Sequence, residues 1–190
     1  RQAAFAAAGR TVTGDVPAAT GIGLTGSRDA LRLQIYFIAS RIRPVPLENP
    51  RQVSAFHYPS QYGPKSPTFA RAILLPLTPS PLLLISGTAS IVGHQTMHHG
   101  DVVAQTRETI ANLSALVTAA NAHAGKDAFS LERLAYRIYV RRAADFEAVR
   151  AVVDAQLGST ERHYVRADIC RPDLLVEIEA SGGGVAVQAG

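Results

Sequence analysis

The sequence predicts an α/β fold: a sheet with two helices packed on one of its faces. Three observations predict it. In residues 174–180, Leu174, Val176 and Ile178 fall on one side of an extended chain and Leu175, Glu177 and Glu179 on the other. Val103, Ile110, Leu113 and Val117 recur at helical spacing behind Gly100-Asp101, and a second helical stretch over 144–157 stops at Gly158. The order of elements, strands first and then helix, strand, helix and strand, layers helices onto a sheet.

Taken in order, residues 2–8 are alanine-rich and helix-prone, and they lack the long apolar run and cleavage site of a signal peptide. The chain opens at Arg1 and its one methionine is Met97, so 1–12 is expected to be a helix end from a missing N-terminal domain and 13–190 the α/β unit itself. In 31–37, Leu31, Leu33, Ile35 and Phe37 alternate with Arg32, Gln34 and Tyr36, the pattern of a half-buried strand. Pro44, Pro46, Pro50, Pro59, Pro64 and Pro67 disfavour helix and interior sheet, which predicts a long loop over 43–67. Its aromatics Phe56, Tyr58 and Tyr62 argue for order and function rather than for a disordered linker.

Two short strands, 69–75 and 82–86, are joined across Thr78, Pro79, Ser80 and Pro81 as a hairpin. Asp101 is placed to cap a helix that runs to about residue 120. A strand at 135–140, the helix at 144–157 and strands at 163–167 and 174–180 complete the order. The tail 181–190, with Gly182, Gly183 and Gly184 in succession, is expected to fray or to add one edge strand.

With 190 residues, 47% hydrophobic and 18% charged, the chain can bury a single core. Its net charge of +4 suits an anionic ligand, but the 19 basic residues are scattered, with no aromatic-rich basic stripe for nucleic acid. One cysteine, Cys170, rules out an internal disulfide framework and fits a reducing cytoplasm. No apolar run reaches the length of a membrane span, so a cytoplasmic protein with no membrane partner is expected.

His94, His98 and His99 fall before the helix cap with no acidic or cysteine ligand among them, so no metal is expected. The glycine triplet has no following Gly-Lys-Ser/Thr, so it is not a phosphate loop, and no cofactor is expected. Glu177 and Glu179, opposite the apolar face of their strand, are either solvated or buried against another layer, where they need partners or a purpose.

Three pieces then stand together: Ile85-Ser86-Gly87-Thr88-Ala89-Ser90, Gly100-Asp101-Val102-Val103-Ala104-Gln105-Thr106-Arg107 and Val176-Glu177-Ile178-Glu179. In order and spacing they resemble the RidA/YjgF family, whose chorismate-mutase-like sheet carries two helices on one face. Four further segments resemble the chorismatases, which carry this domain behind an additional N-terminal one. They are Pro17-Ala18-Ala19-Thr20-Gly21-Ile22-Gly23, Asn49-Pro50-Arg51-Gln52-Val53-Ser54-Ala55, Gln61-Tyr62-Gly63-Pro64-Lys65-Ser66-Pro67-Thr68-Phe69-Ala70-Arg71 and Ala167-Asp168-Ile169-Cys170-Arg171-Pro172-Asp173. The first three have no counterpart in simple RidA-type chains.

The resemblance implies cleavage of the enolpyruvyl ether of chorismate, releasing pyruvate and 3-hydroxybenzoate, with 4-hydroxybenzoate or a dihydroxycyclohexadiene carboxylate as other products. Glu177 matches the family's catalytic glutamate, the proton donor to the ether's methylene carbon, with Glu179 as fallback. Substrate carboxylates call for arginine: Arg1 resembles a substrate-binding arginine of the chorismatases and Arg166 the carboxylate-holding arginine of RidA-type deaminases, while Arg71 and Arg141 are further candidates. Tyr62 either hydrogen-bonds substrate or packs. Gly87 and Ala89, expected just after a strand, let a ligand approach the backbone, and Cys170 marks the subgroup that forms a hydroxybenzoate. The family's sites lie where units meet, which implies pseudo-trimeric or oligomeric packing. A RidA-like imine deaminase, with Arg166 on the carboxylate and Glu177 positioning water, is the second reading, and a non-catalytic ligand- or RNA-binding module the third.

Overall fold

Six strands hydrogen-bond in the order β1 (Val45–Leu47), β2 (Ala72–Leu75), β3 (Leu82–Ala89), β8 (Val176–Gly183), β6 (Ala135–Val140) and β7 (Arg162–Arg166) in the computed structural model, which describes residues 2–14, 16–24, 33–125 and 127–184. Neighbours run antiparallel except β6 and β7, which are parallel and joined through helix α3 (Phe146–Leu157). A two-residue pair, β4 (Ile91–Val92) with β5 (Gln95–Thr96), stands apart from this sheet. Helix α1 (Gln2–Ala7) precedes them all.

The core lies between one face of the sheet and two helices, α3 and α2 (Val102–Ala124). Val176, Ile178 and Ala180 of β8 pack with Ile138, Val140, Leu83 and Ile85 against Ile110, Leu113 and Val117 of α2 and Val149 and Val153 of α3. This is the face that the alternation in the last strand predicts. Asp101 caps α2 as expected, its side chain accepting from Ala104 N at 2.9 Å. Gly158, at φ 61°, takes the left-handed conformation that ends α3.

Some elements differ from expectation. Residues 33–37 are extended but join no strand, and Leu33, Ile35, Tyr36 and Phe37 are all exposed; residues 31 and 32 lie outside the described part. Alternation needs a neighbouring strand to become a sheet, and this stretch has none among the described residues. The proline-rich stretch is not all loop, because β1 forms there as the outermost strand, where Pro46 costs no interior hydrogen bond. Helix α2 runs past residue 120 to Ala124. Strand β3 continues through Gly87 and Ala89, which therefore lie within the strand and not after it, with a bulge between Ile85 and Thr88. Strand β8 includes Gly182 and Gly183, and the rest of the tail, 185–190, lies outside the described residues.

One side of α2 is polar and yet fully buried. Gln105 donates to the carbonyls of His98 (3.2 Å) and Asp173 (2.9 Å) and accepts from Leu175 N (2.8 Å). Two turns on, Asn112 donates to the carbonyls of Ala89 (3.0 Å) and Ile91 (2.9 Å). Thr106 and Thr109 satisfy their hydroxyls on the helix's own carbonyls. Gln105, behind Gly-Asp, thus joins the start of α2 to the residues that lead into β8. Gln105→Ala leaves the buried amide of Leu175 without an acceptor, and we expect it to lower unfolding stability by about 3 kcal/mol in urea denaturation.

Candidate active site

Register sets which side chains meet on the sheet's other face. Ile178 sits in register with Thr88 and Ile138 on the helix face, so Glu177, in register with Ala89 on β3 and Tyr139 on β6, points the other way. Glu179 shares that face and pairs with Arg137 at 2.7 Å. The N-terminal segment closes over it: Ala70 N donates to Pro17 O (3.0 Å), Ala19 N to Ser86 Oγ (2.9 Å), and Gly23 exchanges both backbone bonds with Asp168. Thr20 Oγ1 accepts from Gly87 N at 2.9 Å, which places its methyl against the Glu177 carboxyl.

Glu177 is 5% exposed, and no ion pair among the described residues includes it. Burial first, and then the like charge of Glu179, push its carboxyl up to about 7. Gly87 makes the room. A Cβ there would overlap Glu177 Oε1 and stand 2.9 Å from Thr20 Cγ2, so a side chain at this position must displace the carboxyl. Tyr139, 3% exposed, completes the wall, its phenol held protonated by burial and by Glu179.

Cys170 is open to solvent as a residue, yet the protein around its sulfur, followed by the Glu177 carboxylate, raises the thiol above its usual value, while Arg171 and Arg71 act in the other direction. The raised thiol is not an activated nucleophile. The charges of Arg171, Arg71 and Glu177 all act on this one thiol. Ala89 packs with Ile169 and Leu174 beneath this loop.

The three expected arginines that the structure describes go to three different places. Arg1 lies outside the described residues. Arg71 is buried, donating to Val53 O (2.8 Å) and the Tyr58 hydroxyl (2.7 Å). Arg141 directs its guanidinium at the carbonyls of Leu174, Ile169 and Arg171 and at Asp168 Oδ1, and so holds the 168–174 loop in shape. Arg166, in register with Val140 and so with Val176, belongs to the helix face at the sheet's outer edge, opposite to Glu177. Tyr62 stands over the site's rim with its hydroxyl 3.1 Å from His94 Nδ1.

Sequence patterns did not single out Arg171, Tyr139 or Thr20, although Arg171 and Thr20 lie inside the segments quoted for the chorismatase resemblance, and they named Tyr58 only as one of the ordering aromatics of its loop. The three histidines part company: His94 meets Tyr62, His98 meets Glu108 at 3.3 Å and His99 meets Asp173 at 3.5 Å. Among the described residues no group of three or more His, Cys, Asp or Glu is arranged to hold a metal ion, and no helix is long and apolar enough to cross a membrane. One surface cleft, of about 410 Å³, lies at the far end of β8 around Gly182 and Leu134. The other, about 300 Å³, is lined by Gln61, Tyr62, Gln95, Thr96, His99 and Asp173, on the Tyr62 side of the loop that carries Cys170.

Residues 72–182 match the family described as endoribonuclease L-PSP. The chain is 42% identical over 174 residues to a 3-hydroxybenzoate synthase of Streptomyces hygroscopicus, covering 86% of this chain and 49% of that protein. It is 41% identical over 172 residues to a chorismatase of the same organism, covering 86% and 48%. A chorismatase crystal structure superposes with a TM-score of 0.80 at 35% identity, over 94% of this chain and 54% of that one. The chain therefore spans about half the length of the curated relatives it matches.

The raised carboxyl ties stability to pH. Unfolded, Glu177 ionises near its ordinary 4.5, and folded near 7, so the folded state keeps a proton that the unfolded state loses in between. The site costs nothing below the unfolded value and about 3 kcal/mol once pH has risen through the folded one. Glu177→Gln is expected to leave stability near pH 4.5 little changed and to raise it above pH 7, read from thermal melts across that range.

Proposed function

The chain belongs to the endoribonuclease L-PSP (RidA/YjgF) family, and from that premise we propose that it carries the catalytic carboxyl of a chorismatase, releasing pyruvate and 3-hydroxybenzoate from chorismate. The observation that carries the reading is the buried, unpaired Glu177 carboxyl, pushed up to about 7 beside a glycine that leaves it room. A carboxyl in that range is protonated in part at neutral pH and is suited to general-acid work.

Protonation of the enolpyruvyl methylene carbon by Glu177 turns that carbon into the methyl group of pyruvate and leaves an oxocarbenium ion. The ring carbon–oxygen bond then breaks, its electron pair making the ketone of pyruvate, and the neighbouring ring hydroxyl oxygen closes on the vacated carbon. Opening of that three-membered ring and loss of one ring proton to the Glu177 carboxylate aromatise the ring to 3-hydroxybenzoate, so the reaction consumes no net water and returns the proton that Glu177 gave. Burial behind the Thr20 and Tyr139 walls keeps a large share of the carboxyl protonated at neutral pH. Cys170 favours the hydroxybenzoate outcome, in keeping with the name of the 42% identical relative, whereas Gly87 leaves a dihydroxycyclohexadiene carboxylate open as the product. Formation of 4-hydroxybenzoate as a second product, work in the cytoplasm, and a further N-terminal domain that completes the active protein and its packing belong to the same proposal, with residues 1–12 as the junction to that domain.

An imine deaminase that holds its substrate carboxylate with Arg166 is disfavoured, because the register sends that side chain to the face opposite Glu177. The test is incubation with chorismate, by this chain and by a protein of the relatives' full length that contains it, while pyruvate and the aromatic product are followed. We expect pyruvate and 3-hydroxybenzoate in equal amounts, a kcat that falls as pH rises through about 7, and a loss of roughly 10²–10⁴-fold in Glu177→Gln. Imine hydrolysis without pyruvate release from chorismate would replace this reading with the deaminase.

A further inference from the structure

Two buried guanidinium groups converge on one tyrosine ring. The Cζ atoms of Arg71 and Arg171 stand 5.3 and 5.0 Å from the centroid of Tyr58, and the two residues are 4% and 9% exposed. Arg171 also stacks beneath Tyr62, its Cζ 3.8 Å from that ring's centroid. Its Nη1 donates to His94 O at 2.9 Å and faces Thr96 Oγ1 at 3.4 Å. Its Nη2 is sealed from solvent and has no acceptor, and the same is true of Arg71 Nε.

No ion pair among the described residues includes Arg71 or Arg171. Glu48 acts on Arg71 from beyond pairing distance, and burial raises its carboxyl above the usual carboxylate range. Two unpaired cations side by side, each with an unused donor, are costly in a protein interior, and aromatic faces offset only part of that cost. The arrangement is complementary to an anion. A planar carboxylate matches the donor fork of arginine, and the field of both guanidiniums reaches Cys170, as does that of Glu177.

We propose that Arg171, backed by Arg71 across the Tyr58 ring, is the anchor for a carboxylate of the substrate, and that Tyr62 covers its free Nη2 until that carboxylate arrives. Tyr62 is suited to the part. It is 37% exposed, sits on a single 3-10 turn (Ser60–Tyr62), is held to the body by its hydroxyl on His94 Nδ1, and lines the 300 Å³ cleft together with Thr96. Turning it aside opens that cleft onto the guanidinium. A carboxylate held there puts the rest of the molecule over Cys170, towards the Glu177 proton. The proposal rests on the chorismate reading only in naming the carboxylate as the substrate's.

The test is the binding of two simple probes, pyruvate and benzoate, to the 190-residue chain, by calorimetry and by NMR of the arginine side chains. Arg171→Met is expected to weaken binding of at least one probe by roughly tenfold or more, and Arg171→Lys to restore part of it. Arg107→Met, on the exposed side of α2, leaves binding unchanged. In the unsubstituted chain, the probe shifts the Arg171 Nη signals and those of the Tyr62 ring; this measurement decides the matter even if Arg171→Met fails to fold in a thermal melt. Equal binding by Arg171→Met, an unmoved Arg171 signal at saturation, or no binding of either probe overturns the proposal. Binding through Arg171 by a protein that does not cleave chorismate removes only the proposed function, whereas cleavage with an unchanged KM in Arg171→Met removes only this assignment.

Discussion

The fully buried carboxamide of Gln105 joins three pieces of backbone that have no other reason to meet. It bonds the turn before α2 at His98, the loop at Asp173 and the amide of Leu175, one residue before β8 begins. Because β8 starts there, its register with β3 and β6 follows, and with it the face onto which Glu177 points. A slip of one residue would send Glu177 into the helix-covered core and Val176 or Ile178 to the site. Arg141 holds the same loop from the other side, through the carbonyls of Ile169, Arg171 and Leu174.

The two faces of the sheet therefore do different work. One is an ordinary apolar core, where Ile178, Ile138 and Leu113 are fully buried against one another. The other gathers charge: two glutamates and a buried tyrosine, with two buried arginines, Arg171 in the 168–174 loop and Arg71 just before β2. Charges are tolerated there because each has a device that limits the cost. Glu177 takes a proton, Glu179 takes Arg137, and the arginines lie against aromatic rings. Arg171 and Arg71 are the exceptions, each with one buried nitrogen left without an acceptor.

Legibility in the sequence followed the range of the forces involved. The α2 cap at Asp101, its apolar stripe and the two faces of β8 are local patterns, and all were readable. The alternation at 33–37 was just as clear as that of β8, but a strand is completed by a neighbour, and no pattern within the segment supplies one. The short strand at Val45–Leu47 was hidden for the converse reason, since proline reads as a breaker until an outer edge makes its missing N–H harmless.

At the site the division is sharper. Glu177 and Gly87 could be named from their motifs, but the reason they belong together, a glycine whose Cβ would overlap the carboxyl, exists only once the bulged β3 lies beside β8. Among the arginines, sequence spacing gave equal claims to side chains that the fold sends to opposite faces, and it passed over Arg171, which follows Cys170 directly. The sequence by itself determined most of the elements and the family, and it singled out Glu177, because hydrophobic periodicity and short motifs are properties of neighbouring residues. Only the tertiary structure decided which charges are buried without partners, because desolvation depends on what the rest of the chain places around a group.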